Sequence, residues 1–413
     1  MAGATKGSRF ELLDELWEPS PEAITGIPKR ARTAVRVQAY VPARLSRLEL
    51  ELDERTVQAV LDAQEAVAEA QRYADTVGVN TMAQQLLRSE AIASSQIEGI
   101  AVPSHRALAK ALAGNQHRGS AQAVLANIEA VRWVYGWAAD SPDPFRVQTI
   151  LDIHRRLAAA DRFLAKHAGR IRTHQNWIGH DPYTPAGADF VPPPARRVLG
   201  LADDLCQYAN RSDVPPLVQA AAVHVQFETV HPFVDGNGRV GRSLIGAVLA
   251  RRGVCRDVVP PISLALSRVG DEYVDALTAW RFQEAGPRRW ITLLARATED
   301  AALASARLAA QVADLQERWR EQAGRPREDS AAAAIIRTLP AHPILDAATA
   351  AVVTGRSQVA ARNALNRLED SGVLALVTVG KRNRMWESTG LFALVDEMER
   401  ELSGGQGGAA RTK

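Results

Sequence analysis

A histidine, an acid, a Gly-Asn-Gly turn and two arginines share the twelve residues His231-Pro232-Phe233-Val234-Asp235-Gly236-Asn237-Gly238-Arg239-Val240-Gly241-Arg242. Gly236 and Gly238 carry no Cβ, so consecutive backbone N–H groups there can be turned toward one anion. From Gly238 to about Arg252 the apolar residues Val240, Leu244, Val248 and Leu249 recur along one helical face. The turn therefore opens a helix, whose unpaired N–H groups and dipole attract phosphate. Arg239 and Arg242 lie three apart on the first turn, so both guanidinium forks can reach the same phosphate chain. Together these are the parts needed to hold a nucleoside triphosphate and to deprotonate an attacking hydroxyl. A Gly-rich helix start with surface arginines would leave His231, Phe233 and Asp235 unexplained at these spacings.

Alanine-rich amphipathic segments must position that run, and strand-like alternation is scarce. The spacing predicts helices over 54–76, 81–96, 104–113, 119–139, 144–159, 195–210 and 215–230, with a further one over 238–252. Pro215-Pro216 starts the helix before the motif, where missing amide donors do no harm. Residues 169–194 break the pattern. Gly169-Arg170-Ile171-Arg172 leads to Trp177-Ile178-Gly179 and then to Phe190-Val191-Pro192-Pro193-Pro194, which reads as a short hairpin or extended flap. Residues 1–50, with Pro19, Pro21, Pro28 and Pro42, read as a meandering N-terminal wrap.

The motif resembles that of the Fic family, His-Pro-Phe-x-(Asp/Glu)-Gly-Asn-Gly-Arg-x-x-Arg, with every specified position filled. Members of that family are mostly adenylyltransferases, which move AMP from ATP onto a protein hydroxyl and release pyrophosphate. The resemblance implies that His231 is the general base and that Asp235 binds Mg²⁺. It implies an anion hole at Gly236, Asn237 and Gly238 for the α- and β-phosphates, with Arg239 on the β-phosphate and Arg242 on the γ-phosphate. The 169–194 segment resembles the family's flap, which pairs with the target backbone as an added strand, and Trp177, Ile178 and Gly179 are its candidate target residues.

Upstream, Ser94-Ser95-Gln96-Ile97-Glu98-Gly99 matches the family's inhibitory motif, (Ser/Thr)-x-x-x-Glu-(Gly/Asn). Ser94 and Glu98 are four apart, hence on one helical face, and Gly99 suits the C′ position that ends the helix. The resemblance implies that the Glu98 carboxylate pairs with Arg242 and occupies the γ-phosphate position.

Residues 330–395 have a different grammar. Helical patterns over 331–338, 346–353 and 357–370 are followed by two strand-like runs, 374–379 and 385–387, an order that resembles a winged helix-turn-helix. Gln358, Arg362 and Asn366 form a stripe of side chains suited to base edges. Lys381, Arg382 and Arg384 lie between or beside the two strands, where they could grip phosphate. Six basic residues (Arg356, Arg362, Arg367, Lys381, Arg382, Arg384) face two acids (Glu369, Asp370) over 355–386, a patch that fits a DNA backbone. The same module could equally serve protein contact.

The whole chain sets the bounds. It has 413 residues, 46% hydrophobic and 23% charged, with a formal net charge of +3, so nothing in the total demands nucleic acid or membrane. Cys206 and Cys255 form no metal-like pair, Met1 to Glu11 lacks an apolar signal-peptide core, and no apolar run is long enough to span a bilayer. A cytoplasmic protein is expected. His154, His174 and His180 form no ligand set, Glu228 and His224 read as structural residues, and Phe233 reads as packing. The expected architecture is mainly α, with a Fic-type helical core, a short β-hairpin flap and a C-terminal winged-helix domain. Its parts are an N-terminal helical region over 1–115, the core and following helices over 116–320, a linker over 321–330, the winged helix over 331–400 and a disordered tail over 401–413. The expected function is AMP transfer from ATP with Mg²⁺ to a Ser, Thr or Tyr hydroxyl of a protein, the chain itself included, restrained by Glu98. The alternative is a DNA-binding transcriptional regulator that senses nucleotide through a weakly active Fic domain. Double-stranded DNA and a second copy in a homodimer are the other partners considered.

Overall fold

A computed structural model describes residues 9–19, 26–77, 79–102, 104–113, 120–159, 164–179, 181–256, 258–379 and 383–404. His180, Lys381, Arg382 and residues 405–413 of the expected tail lie outside the described residues. The elements in chain order are β1 (Phe10–Trp17), β2 (Val35–Pro42), α1 (Glu54–Val77), α2 (Val79–Ile97), α3 (His105–Ala113), α4 (Ser120–Asp140), α5 (Val147–Ala158), α6 (Ala195–Ala209), α7 (Pro216–Val230) and α8 (Asn237–Arg251). They continue with α9 (Ile262–Arg268), α10 (Gly270–Phe282), α11 (Gly286–Gln322), α12 (Ala331–Thr338), β3 (Ile344–Leu345), α13 (Ala347–Thr354), α14 (Gln358–Asp370), β4 (Leu374–Val379), β5 (Asn383–Ser388) and α15 (Leu391–Leu402). The fold is mainly helical, as the periodicity predicts. No helix among the described residues is long and apolar enough to cross a membrane.

The chain forms two compact units that interleave in sequence. One comprises residues 1–57, 133–252 and 271–293, the other 58–132, 253–270 and 294–413. In the first, α7 and α8 are the centre: every residue from Leu217 to Val230 and from Asn237 to Ala250 is buried. A helix enclosed on all sides needs partners for its polar groups. His224 meets the Tyr273 hydroxyl at 2.8 Å, Gln219 donates to the carbonyls of Tyr208 and Arg211, and the Trp290 indole donates to Ala221 O at 2.9 Å. Close approach of the pair depends on Gly241, where an added Cβ would lie 2.2 Å from Glu228 Oε1 and 3.0 Å from the Phe227 ring.

Residues 10–42 depart from the expected meander. β1 and β2 pair antiparallel from Phe10↔Pro42 to Trp17↔Val35. The signal lay in β2, where Val35, Val37, Ala39 and Val41 alternate. β1 hides it, because Leu12-Leu13 and Leu16-Trp17 put apolar residues on both faces.

In the second unit one hydrophobic core contains Leu86 and Ala93 of α2, Leu308 and Trp319 of α11, Ile335 of α12, Leu365 of α14, Trp386 of β5 and Met398 of α15. The 321–330 segment therefore joins two parts of one core. Ser330, Asp346 and Ser357 cap α12, α13 and α14 by accepting the amides of Ala333, Thr349 and Ala360. The three-stranded sheet is antiparallel in the order β3-β5-β4.

Gly241→Ala should lower stability by about 1–3 kcal/mol, because a buried carboxylate and a phenyl ring must move aside. Urea unfolding checks this, and an unchanged midpoint would show that the helix pair is not set by that contact.

Candidate active site

The motif run occupies the turn between α7 and α8, and backbone geometry fixes its shape. His231 is the C-cap of α7 in the left-handed region (φ 49°, ψ 61°), and Gly236, at φ 80°, is the N-cap of α8. A left-handed histidine costs about 1–3 kcal/mol and persists only where its surroundings hold it. The Asn237 side chain provides one hold. Its Oδ1 accepts the Phe233 amide and its Nδ2 donates to the Phe233 carbonyl, both at 2.9 Å. The Asn237 side chain is thus spent on the loop, so only its backbone amide is left for the expected anion hole. Asp235 is exposed, and its Oδ1 accepts the Gly236 amide at 2.5 Å. That bond turns Gly236 N–H toward its own neighbour, while the amides of the first turn of α8 (Asn237, Gly238, Arg239) have no acceptor within the helix.

His231 Nδ1 lies 3.4 Å from the Glu228 carbonyl. A carbonyl can only accept, so this contact favours the tautomer with its proton on Nδ1 and its lone pair on Nε2.

Three residues that the motif does not contain hold the loop from outside. Arg172 is buried, and its guanidinium donates to the carbonyls of His231 (2.8 Å), His174 (3.0 Å) and Pro193 (2.5 Å), while its amide donates to Pro232 O at 2.9 Å. Burial pushes its guanidinium down to about 10. Asn176 adds a bond from Nδ2 to Phe233 O at 3.1 Å. His154 of α5 is the third support. Its Nδ1 accepts the Gly169 amide at 3.0 Å, so Nε2 carries the proton and donates to Asp235 O at 3.1 Å. Its ring stacks on Phe233 at 3.9 Å and 6°, and Phe233 is fully buried, the packing role expected of it. Sequence reasoning missed Arg172 and His154 because their partners are carbonyls and rings far along the chain. The one available signal was an arginine, Arg172, with no acid close to it in sequence.

Four arginines of this unit are buried: Arg172, Arg239, Arg242 and Arg281. Burial holds Arg281 at about 10, with Glu228 opposing that fall. Burial first, and then the charges of Arg242 and Arg281, pushes His224 down to about 3. Arg242 and Arg281 thus share this buried region with Glu228, a positive balance suited to an anion. The flap forms as a minimal hairpin: Ile178 N–H donates to Phe190 O at 2.8 Å and Phe190 N–H to Ile178 O at 3.0 Å.

The remaining expected site residues belong to the second unit. α2 ends in a Schellman motif: Ile100 N–H reaches Ser95 O (3.1 Å), Gly99 N–H reaches Gln96 O (2.9 Å), and Gly99 takes φ 72°. Gly99 thus occupies the expected C′ position, with Ser94 buried and Glu98 exposed at the helix end. On α14, Gln358 and Arg362 are exposed and Asn366 is half-buried. Arg384, expected to grip phosphate, instead pairs with Glu369 at 2.9 Å and lies over the Trp386 ring, whose Nε1 donates to the same carboxylate.

Comparison with known proteins bears on both units. Residues 144–249 match the family model described as Fic/DOC family, and residues 57–135 match that described as Fic/DOC family N-terminal. A protein adenylyltransferase fic-1 of Caenorhabditis elegans is 32% identical over 132 residues, 32% of this chain and 23% of the relative. A protein adenylyltransferase Fic of Nematostella vectensis is 29% identical over 188 residues, 44% of this chain and 40% of the relative. The chain spans less than half the length of these curated relatives. The crystal structure of a Fic family protein from Desulfovibrio desulfuricans G20 shares the fold, with a TM-score of 0.51 at 22% identity, covering 83% of this chain and 98% of that one.

The depressed His154 has a consequence for stability. Burial lowers its pKa from 6.5 to about 4, so on acidification the unfolded chain takes up this proton before the folded one does. Stability is fully present above pH 6.5 and falls as pH drops toward 4. Between pH 7.5 and pH 5 the loss from this group should be about 2 kcal/mol. Urea unfolding at the two pH values should show that extra loss in the parent and not in His154→Phe, which keeps the stack without titrating. Equal losses would remove His154 from the account.

Proposed function

We propose, because residues 144–249 are a Fic domain preceded by the family's N-terminal region, that the protein is a cytoplasmic transferase that moves AMP from ATP to a Ser, Thr or Tyr hydroxyl of a protein. The observation that carries this reading is the clamped turn, which joins a left-handed histidine to a helix N-terminus through five residues. In the proposed step His231 Nε2 accepts the hydroxyl proton as the oxygen attacks the α-phosphorus. The bond from the α-phosphorus to its bridging oxygen breaks and pyrophosphate leaves. The amides at the start of α8 and the guanidiniums of Arg239 and Arg242 stabilise charge on the phosphates.

Asp235 is the residue that would hold Mg²⁺. Among the described residues no group of three or more His, Cys, Asp or Glu is placed to hold a metal. One exposed carboxylate still fits Mg²⁺, which commonly takes one or two carboxylates and completes its shell with water and phosphate oxygens. When bound there it would neutralise phosphate charge. We also assign Glu98 a restraining role, supported by its place at the capped end of α2 and by the match of residues 57–135 to the family's N-terminal model.

Labelling with ATP carrying radioactivity in the α-phosphate tests both assignments. His231→Ala should bind ATP and lose protein labelling, whereas Glu98→Gly should label itself at least about tenfold faster, the effect of roughly 1.4 kcal/mol. Labelling by His231→Ala at the parent rate would overturn the mechanism, and a folded Glu98→Gly no faster than the parent would overturn the restraint.

The order of α12, β3, α13, α14, β4 and β5 supports a second role for the C-terminal module, that of a winged helix-turn-helix on double-stranded DNA. Exposed Gln358 and Arg362 on the N-capped α14 are its reading face. Binding of the full chain should weaken with salt at a log–log slope of about −3 to −5. Arg362→Ala should reduce preference among sequences. A folded chain that retains no duplex at low salt in an electrophoretic assay would exclude DNA and leave the module to protein contact.

A further inference from the structure

The flap does not stand on the motif loop alone. One backbone hydrogen bond ties it to β2, Tyr40 N–H donating to Val191 O at 2.9 Å. Backbone bonds thus link Ile178 to Phe190 and, through Val191, to β2, which pairs with β1. Trp17 of β1 meets Trp177 of the flap edge-on at 5.5 Å, and Arg30 pairs with Asp181 at 3.0 Å. Val37 and Ala39 pack with Val191, and Trp177 and Ala188 pack against them.

From the opposite side, the Arg281 guanidinium lies 4.0 Å from the centre of the Phe190 ring, within reach of a cation–π contact. Its Nε donates to Thr229 Oγ1 at 3.0 Å, two residues before His231, and its carbonyl accepts the Tyr40 hydroxyl at 3.0 Å. One side chain therefore links the flap's paired residue to the helix that carries the histidine. Residues 10–42 and Arg281 lie outside both segments that match the family models.

We propose that the β1–β2 hairpin and Arg281 form a positioning element that sets the flap, and with it an extended acceptor segment, in fixed register with His231. The proposal rests on the reading that the flap takes the acceptor backbone. A prebuilt edge spares the acceptor the cost of ordering a loop of this length on docking. Arg281 and Trp17 are positioning residues here, acting through Phe190 and Trp177.

Hydrogen exchange followed by mass spectrometry on the full chain tests this without any acceptor. In Trp17→Ala and Arg281→Met, exchange across 177–191 should speed up at least about tenfold while 231–242 keeps its parent rate. Arg281→Lys retains a cation over the ring and should stay within about twofold of the parent. Arg30→Ala, at an exposed guanidinium, should give a smaller acceleration in the same segment. Parent-like flap exchange in both Trp17→Ala and Arg281→Met would overturn the proposal. Equal acceleration of 231–242 would reduce these residues to general packing and overturn it as well.

Turnover supplies the functional arm. Trp17→Ala should lower self-labelling from ATP well below the parent while leaving unchanged any transfer of AMP to water, in which a water oxygen takes the place of the acceptor hydroxyl. Parallel loss of both would overturn a role specific to the acceptor. A folded Glu98→Gly chain that labels neither itself nor protein of a lysate and releases no AMP would refute the transfer reading, and the exchange arm would still decide whether the hairpin braces the flap.

Discussion

The two hydrogen bonds between the Asn237 side chain and the Phe233 backbone are the constraint on which the site depends. An asparagine at the first position of α8 spends both ends of its amide on a residue four places earlier, and so closes the turn from within. Pinned at one end by Asn237 and at the other by the last turn of α7, the backbone must put His231 in a left-handed conformation that is unfavourable in isolation. Arg172 then takes the His231 and Pro232 carbonyls, which that conformation turns away from the helix. The histidine ring and the start of α8 are parts of one closed unit, so neither can shift without breaking bonds made by the other.

Burial makes that unit rigid and sets its charge. α7 and α8 lie in the core over nearly their whole lengths, which is unusual for helices carrying three arginines, a glutamate and a histidine. Their polar groups are held by fixed dipoles and neighbours instead of water, so under the proposed reading little reorganisation is needed when charge develops on a phosphate. His154 shows the same economy. It is kept neutral by burial, and its two ring nitrogens join Gly169, at the root of the flap, to Asp235 in the loop.

Much of this was legible in the sequence, and the physical reason differs from part to part. The motif was legible because its chemistry is local: glycines, an acid and arginines act through backbone and spacing within twelve residues. The helices were legible because a period of 3.6 survives without knowledge of partners. Gly99 was legible as a helix stop because a C′ position asks for a left-handed residue. Arg172, His154 and Arg281 were not legible, since their partners are carbonyls and aromatic faces that only the fold brings near. The requirement at Gly241 was hidden for the same reason, as it is set by Glu228 across the helix pair. The hairpin of residues 10–42 was half legible in the alternation of β2 and obscured by the two-faced β1. The interleaving of the two units follows from contacts between distant segments, which no linear composition shift announces.

The central claim is that this turn directs attack at the α-phosphorus of a nucleoside triphosphate. Parallel incubations with ATP labelled in the α-phosphate and ATP labelled in the γ-phosphate test it most directly. The account predicts that α-label stays on the protein while γ-label appears in pyrophosphate, in equal amounts. Retention of γ-label on the protein would show transfer of the terminal phosphoryl group and contradict the geometry assigned to His231 and α8.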